Sequence, residues 1–205
     1  MYKALIVSTC AAYGLLRNQA AYVLATADHE TAHTFMPVKE AYWVKNAEAW
    51  RKKNLRYYPW YGRGFVQLTW ESNYKKAGDK IGVDLIADKD AALQPDNAAK
   101  ILVLGMKEGW FTGKKLSDYI TISRSEFVSA RRIINGTDKD DEIAALAIKY
   151  DRELLAAGYG VEPAKPVAAP EAARPGKSPL AAIAAALIAV VAAAYAFLKS
   201  HGVLP

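Results

Sequence analysis

The sequence lacks several features that mark common classes of protein. A single cysteine, Cys10, occurs in 205 residues, which excludes an internal disulfide and a cysteine-based metal knuckle. No run of Lys and Arg suggests a nucleic-acid groove, so we expect no nucleic-acid partner. Sustained two-residue alternation of apolar and polar residues is missing, as is a Rossmann-type glycine pattern. These absences favour a mainly α-helical domain with at most a short hairpin.

The composition changes near Gly160. Residues 160–178 alternate Pro and Ala with a few charges, which favours an extended spacer. All five tryptophans precede this stretch, so we predict a packed domain over residues 1–159 and a linker over 160–178. Four of the 27 basic residues and two of the 21 acidic residues lie beyond residue 160. Residues 1–160 therefore contain 23 basic and 19 acidic residues, a net charge of +4. Such an excess suits a polyanionic partner such as a cell wall.

Residues 179–198 carry no charge, and ten of the twenty are Ala. A helix of this length spans about 30 Å, the thickness of a bilayer core. We therefore predict a single transmembrane helix, followed by a short tail at 199–205; the alternative is a buried or self-associating helix of a soluble protein. Small residues at four-residue intervals would allow this helix to self-associate, namely Ala181, Ala185, Ala189 and Ala193.

The charges beside this segment predict its orientation. Lys165, Arg174 and Lys177 precede it, and Lys199 closely follows it. The tendency of basic residues to stay inside favours a cytoplasmic position for the first domain. We expect anchorage in a host inner membrane or a virion membrane.

Helical spacing of apolar residues is evident throughout the first 160 positions. Residues 5–16 predict a first helix rather than a signal sequence, because the apolar run is too short for a signal core. Asn18 is expected to cap the next helix. Further helices are predicted over Gln94–Leu104, Ser125–Ile134 and Glu142–Leu155.

Residues 29–33 read His-Glu-Thr-Ala-His, which matches a zinc-protease pattern. In that interpretation His29 and His33 bind the metal from one helix face, and Glu30 is the general base. However, Pro37 disfavours helical geometry just before it, so we expect the helix to end within a turn of His33.

The same glutamate fits a glycosidase. Glycoside hydrolysis needs two carboxyl groups, about 6.5–9.5 Å apart in inverting enzymes. Glu30 and Glu40 would lie about 15 Å apart on one helix, which is too far. A break at Pro37 permits the chain to fold back and bring them closer.

Residues 61–74 suggest a sugar cleft. Gly62 and Gly64 flank an arginine in a tight turn. Gln67, Thr69 and Asn73 then place amides and a hydroxyl among apolar side chains. These are the groups that N-acetyl sugars require.

Three blocks of sequence resemble glycoside hydrolase family 19, which includes chitinases and phage or bacterial endolysins with a lysozyme-like fold. They read Ala-Thr-Ala-Asp-His-Glu-Thr at 25–31, Tyr-Gly-Arg-Gly-Phe-Val-Gln-Leu-Thr at 61–69 and Arg-Arg-Ile-Ile-Asn-Gly at 131–136. Together they extend over most of residues 18–150. The resemblance implies a lysozyme-like, bilobal helical domain that needs no metal and no cofactor.

The resemblance also implies roles by position. Glu30 would be the general acid, and Glu40 the base that activates water with help from Thr69. Inversion at the anomeric carbon is expected. The residues implied in substrate binding are Tyr61, Arg63, Gln67, Asn73 and Asn135, with His29 in the cleft.

The ten-residue interval between Glu30 and Glu40 resembles the endolysin branch of the family, which implies peptidoglycan glycan strands as the substrate. Three alternatives stay open: a chitinase, the zinc metalloprotease, and a non-catalytic, membrane-tethered module that binds the wall.

Overall fold

The computed structural model describes residues 2–160, and this part of the chain is mainly helical, as predicted. Seven α-helices follow in order: α1 (Lys3–Ala12), α2 (Arg17–Glu30), α3 (Ala47–Asn54), α4 (Glu71–Ile81), α5 (Pro95–Glu108), α6 (Leu116–Tyr119) and α7 (Asp140–Ala156). Two 3-10 helices lie at Lys89–Leu93 and Ser129–Ile133. The two strands, β1 (Val38–Lys39) and β2 (Arg63–Gly64), pair antiparallel with Val38 opposite Gly64.

Helix α2 is the central element of the core. Its residues from Ala20 to Asp28 are all buried, so the helix is covered on every side rather than along one stripe. It packs along α7 and against α1 and α5. At its start, the Gln19 side chain accepts a hydrogen bond from the Leu16 amide, which satisfies one of the free donors of the first turn. The burial of α2 fixes the position of its last residue, Glu30.

Helix α5 forms a second buried layer. Pro95 opens it at a position where the missing N–H costs nothing, and Gly109 ends it with a φ of 76°. A Cβ atom on Gly105 would lie 2.2 Å from the Phe111 ring, so this helix needs glycine in its last turn. Cys10 of α1 is fully buried in the core, and burial raises the pKa of its thiol well above its usual range.

Two local predictions were wrong. Helix α2 begins at Arg17 with Leu16 as its cap. Asn18 instead donates hydrogen bonds to Thr121 O and Ser125 Oγ, both at 2.8 Å. The predicted helix at 125–134 is only a 3-10 helix over Ser129–Ile133, because Ser125 pairs with Ile120 in an antiparallel bridge.

The predictions for α5 and α7 are confirmed, with α7 ending two residues before Gly158. Among the helices of residues 2–160, none is both long enough and apolar enough to cross a membrane. The predicted linker after Gly160, the predicted span at 179–198 and the tail lie outside the described residues.

Candidate active site

Glu30 is the last residue of α2, and its side chain is 19% exposed. Its Oε1 accepts a hydrogen bond from Arg131 Nη1 at 2.9 Å. Arg131 lies in the second 3-10 helix with 4% of its side chain exposed, and its Nε donates to Asp138 O at 2.9 Å. A buried guanidinium held from both sides therefore fixes one oxygen of the Glu30 carboxylate.

The end of α2 is made by Thr31 rather than by Pro37. The Thr31 hydroxyl donates to Ala27 O at 2.7 Å and accepts a hydrogen bond from Phe35 N at 3.0 Å. Ala32 and the residue after it have φ values of 49° and 64°, so the chain turns away from the helix axis. This turn leaves Glu30 at an open helix end, and the predicted early end of the helix is confirmed.

The two histidines of the His-Glu-Thr-Ala-His string do not share a helix face. His29 Nδ1 lies 3.8 Å from Glu142, whereas His33 Nδ1 lies 3.4 Å from Asp28. His33 is 64% exposed and follows the end of the helix in a left-handed conformation. The paired geometry that the zinc-protease hypothesis requires is therefore not formed. Within residues 2–160, no cluster of three or more His, Cys, Asp or Glu side chains could hold a metal.

Glu40 directly follows β1 and is held on both carboxylate oxygens. Tyr57 donates its hydroxyl to Oε1 at 2.7 Å, and the Gly62 amide donates to Oε2 at 2.8 Å. The backbone is fixed as well, because Glu40 N donates to Gly62 O and Arg51 Nε donates to Glu40 O, both at 2.7 Å. Burial and the hydrogen bond to Glu40 raise the pKa of Tyr57 to about 12, so its hydroxyl stays protonated.

The predicted binding residues of the 61–74 block are joined by hydrogen bonds. Gln67 Nε2 donates to Val38 O at 3.1 Å and to Gly64 O at 3.3 Å, so it bridges β1 and β2. Thr69 Oγ1 donates to Gln67 O at 2.8 Å, and Asn73 Nδ2 donates to Thr69 O at 2.9 Å. The structure thus brings these three side chains together beside the strand that leads to Glu40.

Gly62 packs closely against the Gln67 side chain. A Cβ atom there would lie 2.6 Å from Gln67 Oε1, closer than any real contact. The absence of a side chain lets the Gln67 amide pack over the backbone whose N–H binds Glu40.

Tyr61 and Arg63 were expected to contact the sugar, but both side chains are buried. Tyr61 is 2% exposed and donates its hydroxyl to Glu48 at 3.1 Å. The Arg63 side chain is 4% exposed and stacks on Tyr61, with 3.7 Å from its Cζ to the ring centroid. Its guanidinium donates to four oxygen atoms, those of Asp90 Oδ1, Tyr74 Oη and the carbonyls of Pro59 and Tyr61. Both side chains are therefore buried in the domain and not exposed to solvent.

Asn135 is exposed, and its own backbone amide donates to Arg131 O at 3.0 Å. Its backbone therefore contacts the backbone of the residue whose guanidinium binds Glu30. His29 is also next to Glu30 in the chain and 21% exposed. Both positions suit the expected cleft.

Sequence reasoning missed Arg131 as the partner of Glu30 and Tyr57 as a partner of Glu40. The Arg131 pair joins residues 101 positions apart, and only the Arg-Arg-Ile-Ile-Asn-Gly block could have indicated it. Tyr57 had no distinguishing signal among the 12 tyrosines of the chain.

Comparison with known proteins matches residues 18–111 to the family model described as Chitinase class I, glycoside hydrolase family 19. That range contains Glu30, Glu40 and the 61–74 block. This stretch of the chain is therefore similar to glycoside hydrolase family 19. The match covers 94 of the 205 residues, slightly less than half of the chain.

Two plant proteins and one bacterial structure are similar to this chain. Chitinase 8 of Oryza sativa subsp. japonica is 53% identical over 32 residues, which is 16% of this chain and 12% of the relative. Endochitinase B of Zea mays is 29% identical over 127 residues, 58% of this chain and 41% of that protein. Chitinase C from Streptomyces griseus HUT6037 superposes with a TM-score of 0.53 at 25% identity, over 68% of this chain and 60% of that one. The chain spans less than half the length of the two plant relatives.

Proposed function

We propose that this domain is a glycosidase that hydrolyses β-1,4 bonds between the N-acetylated sugars of peptidoglycan. The observation that carries the proposal is the pair of glutamates, each fixed by its own donors at the end of a different element. Glu30 ends α2 against Arg131, and Glu40 follows β1 against Tyr57 and Gly62. Glycoside hydrolysis requires two carboxyl groups with separate roles.

In the proposed reaction Glu30 acts as the general acid. It gives its proton to the glycosidic oxygen as the bond to the anomeric carbon breaks. The Arg131 guanidinium, 2.9 Å from Oε1, stabilises the carboxylate that this step leaves behind. In the described residues Oε2 of Glu30 accepts no hydrogen bond, which suits it to carry the proton.

Glu40 acts as the general base in the same step. It removes a proton from a water molecule, whose oxygen forms the new bond to the anomeric carbon from the opposite face. We assign Thr69 to orient this water, with the Thr69 hydroxyl held near Gln67 O. The product has inverted configuration. Gln67, Asn73, Asn135 and His29 are proposed to contact the acetamido sugars.

Chitin is the second candidate substrate, because the similar plant and bacterial proteins are named chitinases. We favour peptidoglycan on two grounds. Only ten positions separate Glu30 from Glu40, and the first 160 residues have a net charge of +4 that suits a polyanionic wall. Mass spectrometry of digests of both polymers tests the choice, because the new reducing end identifies the bond that is cut. Products from chitin alone would assign the domain to chitin.

We further propose that residues 179–198 anchor the enzyme in a membrane, with the catalytic domain held in the cytoplasm until lysis. The uncharged, Ala-rich sequence and the basic residues before it support this proposal. Protease protection of a tagged N-terminus in intact cells tests it. Early periplasmic exposure of the tag would refute cytoplasmic storage.

The reaction is tested in the full chain with Glu30→Gln and with EDTA. We expect the substitution to abolish wall clearing and the chelator to leave it unchanged. Full activity of the variant, or loss on chelation restored by zinc, would favour a metalloprotease. A wild-type protein that binds wall fragments without cutting them would favour a non-catalytic module.

A further inference from the structure

Trp70 has an unusual backbone conformation and an exposed side chain. Its φ of 75° and ψ of 137° lie in a region that residues with a side chain rarely adopt. The strain is held by hydrogen bonds, because Trp70 N donates to Trp60 O at 2.9 Å and Trp70 O accepts from Asn73 N at 3.1 Å. The indole remains 43% exposed. Strained positions of this kind concentrate at ligand-binding sites.

The indole is one side chain away from Glu40. Its ring lies 5.0 Å from the ring of Tyr57, centroid to centroid, at an interplanar angle of 56°. The Tyr57 hydroxyl is the donor to Glu40 Oε1 at 2.7 Å. On the same indole, Arg56 Cζ lies 5.2 Å from the ring centroid. Trp70 therefore contacts the residue that orients the proposed base.

Trp70 also lines a shallow cavity of about 470 Å³ together with Glu71, Ser72 and Lys75. This volume lies within the range of about 300–1,000 Å³ that is usual for ligand sites. The cavity lining thus combines an indole with residues that carry a carboxylate, a hydroxyl and an ammonium group. A pyranose ring matches this arrangement, because it presents an apolar C–H face to an indole and hydroxyl groups at its edge.

We propose that Trp70 is the stacking platform for one sugar ring of the glycan and that Tyr57 couples this ring to Glu40. A sugar on Trp70 restricts the motion of the indole, and the packed Tyr57 ring then keeps its hydroxyl on the Glu40 carboxylate. Trp70 is thus a substrate-binding residue, and Tyr57 is a positioning residue. The second half of the inference rests on the proposed role of Glu40 as base.

Binding is measured first, in the full chain carrying Glu30→Gln so that the ligand is not cut. The probes are a hexasaccharide of N-acetylglucosamine and soluble peptidoglycan glycan strands. Isothermal titration calorimetry measures the Kd of each probe. We expect Trp70→Ala to raise about tenfold the Kd for whichever of the two polymers the wild-type enzyme cuts. A change of this size is usual for the loss of one aromatic contact. Trp70→Phe should recover part of the affinity, because a smaller aromatic face remains.

Trp43→Ala is the matched control for this experiment. Trp43 is 74% exposed and makes an edge-to-face contact with its neighbour Tyr42, whereas the ring that packs on Tyr57 is Trp70, so Trp43→Ala deletes an exposed indole at a different place. Equal Kd values for Trp70→Ala and Trp43→Ala would contradict the proposal that a sugar ring stacks on Trp70. Thermal melting of each variant checks folding, and Trp70→Phe carries the test if Trp70→Ala does not fold.

The coupling to Glu40 is measured by steady-state kinetics in the otherwise wild-type chain. Tyr57→Phe keeps the ring and removes the hydroxyl, so we expect kcat to fall about tenfold with KM changed less than about twofold. Trp70→Ala should raise KM and lower kcat. In the double variant the losses in kcat should be less than multiplicative, because both changes remove one interaction.

If the losses in kcat of Trp70→Ala and Tyr57→Phe multiply in the double variant, the proposed coupling of Trp70 to Glu40 through Tyr57 is wrong. The inference and the proposed function fail in different ways. Full activity of Glu30→Gln would defeat the proposed reaction and leave the binding result intact, whereas an unchanged Kd for Trp70→Ala would defeat the platform alone.

Discussion

Glu30 ends a long buried helix and accepts a hydrogen bond from a buried guanidinium, whereas Glu40 follows a two-residue strand and accepts hydrogen bonds from a phenol and a backbone amide. The partners match the proposed roles. An acid becomes an anion during the reaction and gains from a cation beside it. A base is already an anion, and neutral donors on both oxygens orient it for the incoming water.

The two glutamates also differ in how the chain supports them. Glu30 depends on one long-range contact to Arg131, and the burial of α2 fixes its backbone. Glu40 depends on a local network in which β1, β2 and the Gln67 side chain hold one another. Substitutions around Glu30 should therefore act through charge, and those around Glu40 through geometry.

Removing the Glu40 carboxylate gives the largest expected effect in this comparison. Glu40→Gln should lower kcat about 10²–10⁴-fold, the usual contribution of a general base. Stability should change little, because the new amide oxygen can accept the hydrogen bond from Gly62 N while the amide NH2 group donates to the Tyr57 hydroxyl, which can also act as an acceptor. The measurement is release of reducing ends, with thermal melting as the control. Wild-type kcat in this variant would remove Glu40 from the mechanism.

Arg131→Lys tests whether Glu30 depends on charge and geometry together. Lysine keeps a positive charge but loses the bond from Nε to Asp138 O and the planar fork. We expect a fall in kcat of about 10–100-fold with KM nearly unchanged. Arg132→Lys is the matched control, because Arg132 is exposed. Equal rates for the two variants would show that Arg131 does not act on Glu30.

Gly62→Ala tests the geometry around Glu40. The new Cβ atom would lie 2.6 Å from Gln67 Oε1, so the strand pair or the Gln67 side chain must move. We expect a loss of about 1–3 kcal/mol in the free energy of unfolding, typical of overpacking, and roughly tenfold lower activity. Gly136→Ala is the control, since a Cβ atom there meets no neighbour within 4 Å. Comparable destabilisation in both variants would contradict the steric argument.

Substitution of Asp90 gives the smallest expected effect, a change in how the free energy of unfolding depends on pH. It joins Lys39 of β1 to Arg63 of β2, with distances of 2.6 and 2.7 Å. Partial burial would raise the pKa of Asp90, but the hydrogen bonds from Lys39 and Arg63 outweigh it and lower the pKa below its usual value. Because the pKa is lowered by folding, Asp90 stabilises the domain above about pH 4 and loses this effect as pH falls through the lowered pKa.

Asp90→Asn should therefore lower the free energy of unfolding by only about 0.5–1 kcal/mol at neutral pH, because the Asp90 side chain is 53% exposed and water screens its charge pairs. The difference from the wild type should shrink as the pH approaches 2. Chemical denaturation at several pH values measures both effects. A difference that stays constant with pH would mean that the Asp90 carboxylate does not contribute through its charge.

Much of the helical frame followed from local sequence patterns. The apolar spacing of α5 and α7 predicted both helices. Helix α7 buries one face, whereas α5 is buried around most of its circumference. The early end of α2 was expected as well, although Thr31 rather than Pro37 makes it. Asn18 shows the limit of such rules, since tertiary contacts to Thr121 and Ser125 outweighed its capping tendency.

The candidate site was predictable only in part. The blocks around Glu30 and Gln67 indicated the residue types, but not which side chains face the cleft. Arg63 and Tyr61 lie in the same motif as Gln67 and are buried, because Arg63 is surrounded by carbonyl and carboxylate oxygens. The Arg131 contact depends on folding across 101 positions, which no local pattern reports.

The most direct test follows the anomeric proton by NMR while a soluble peptidoglycan glycan strand is digested by the full chain and by Glu30→Gln. An inverting reaction at a β-1,4 bond should first give the α anomer with the wild type, and the variant should give no product. An initial β anomer, or product formed by Glu30→Gln at the wild-type rate, would contradict an inverting mechanism with Glu30 as the acid.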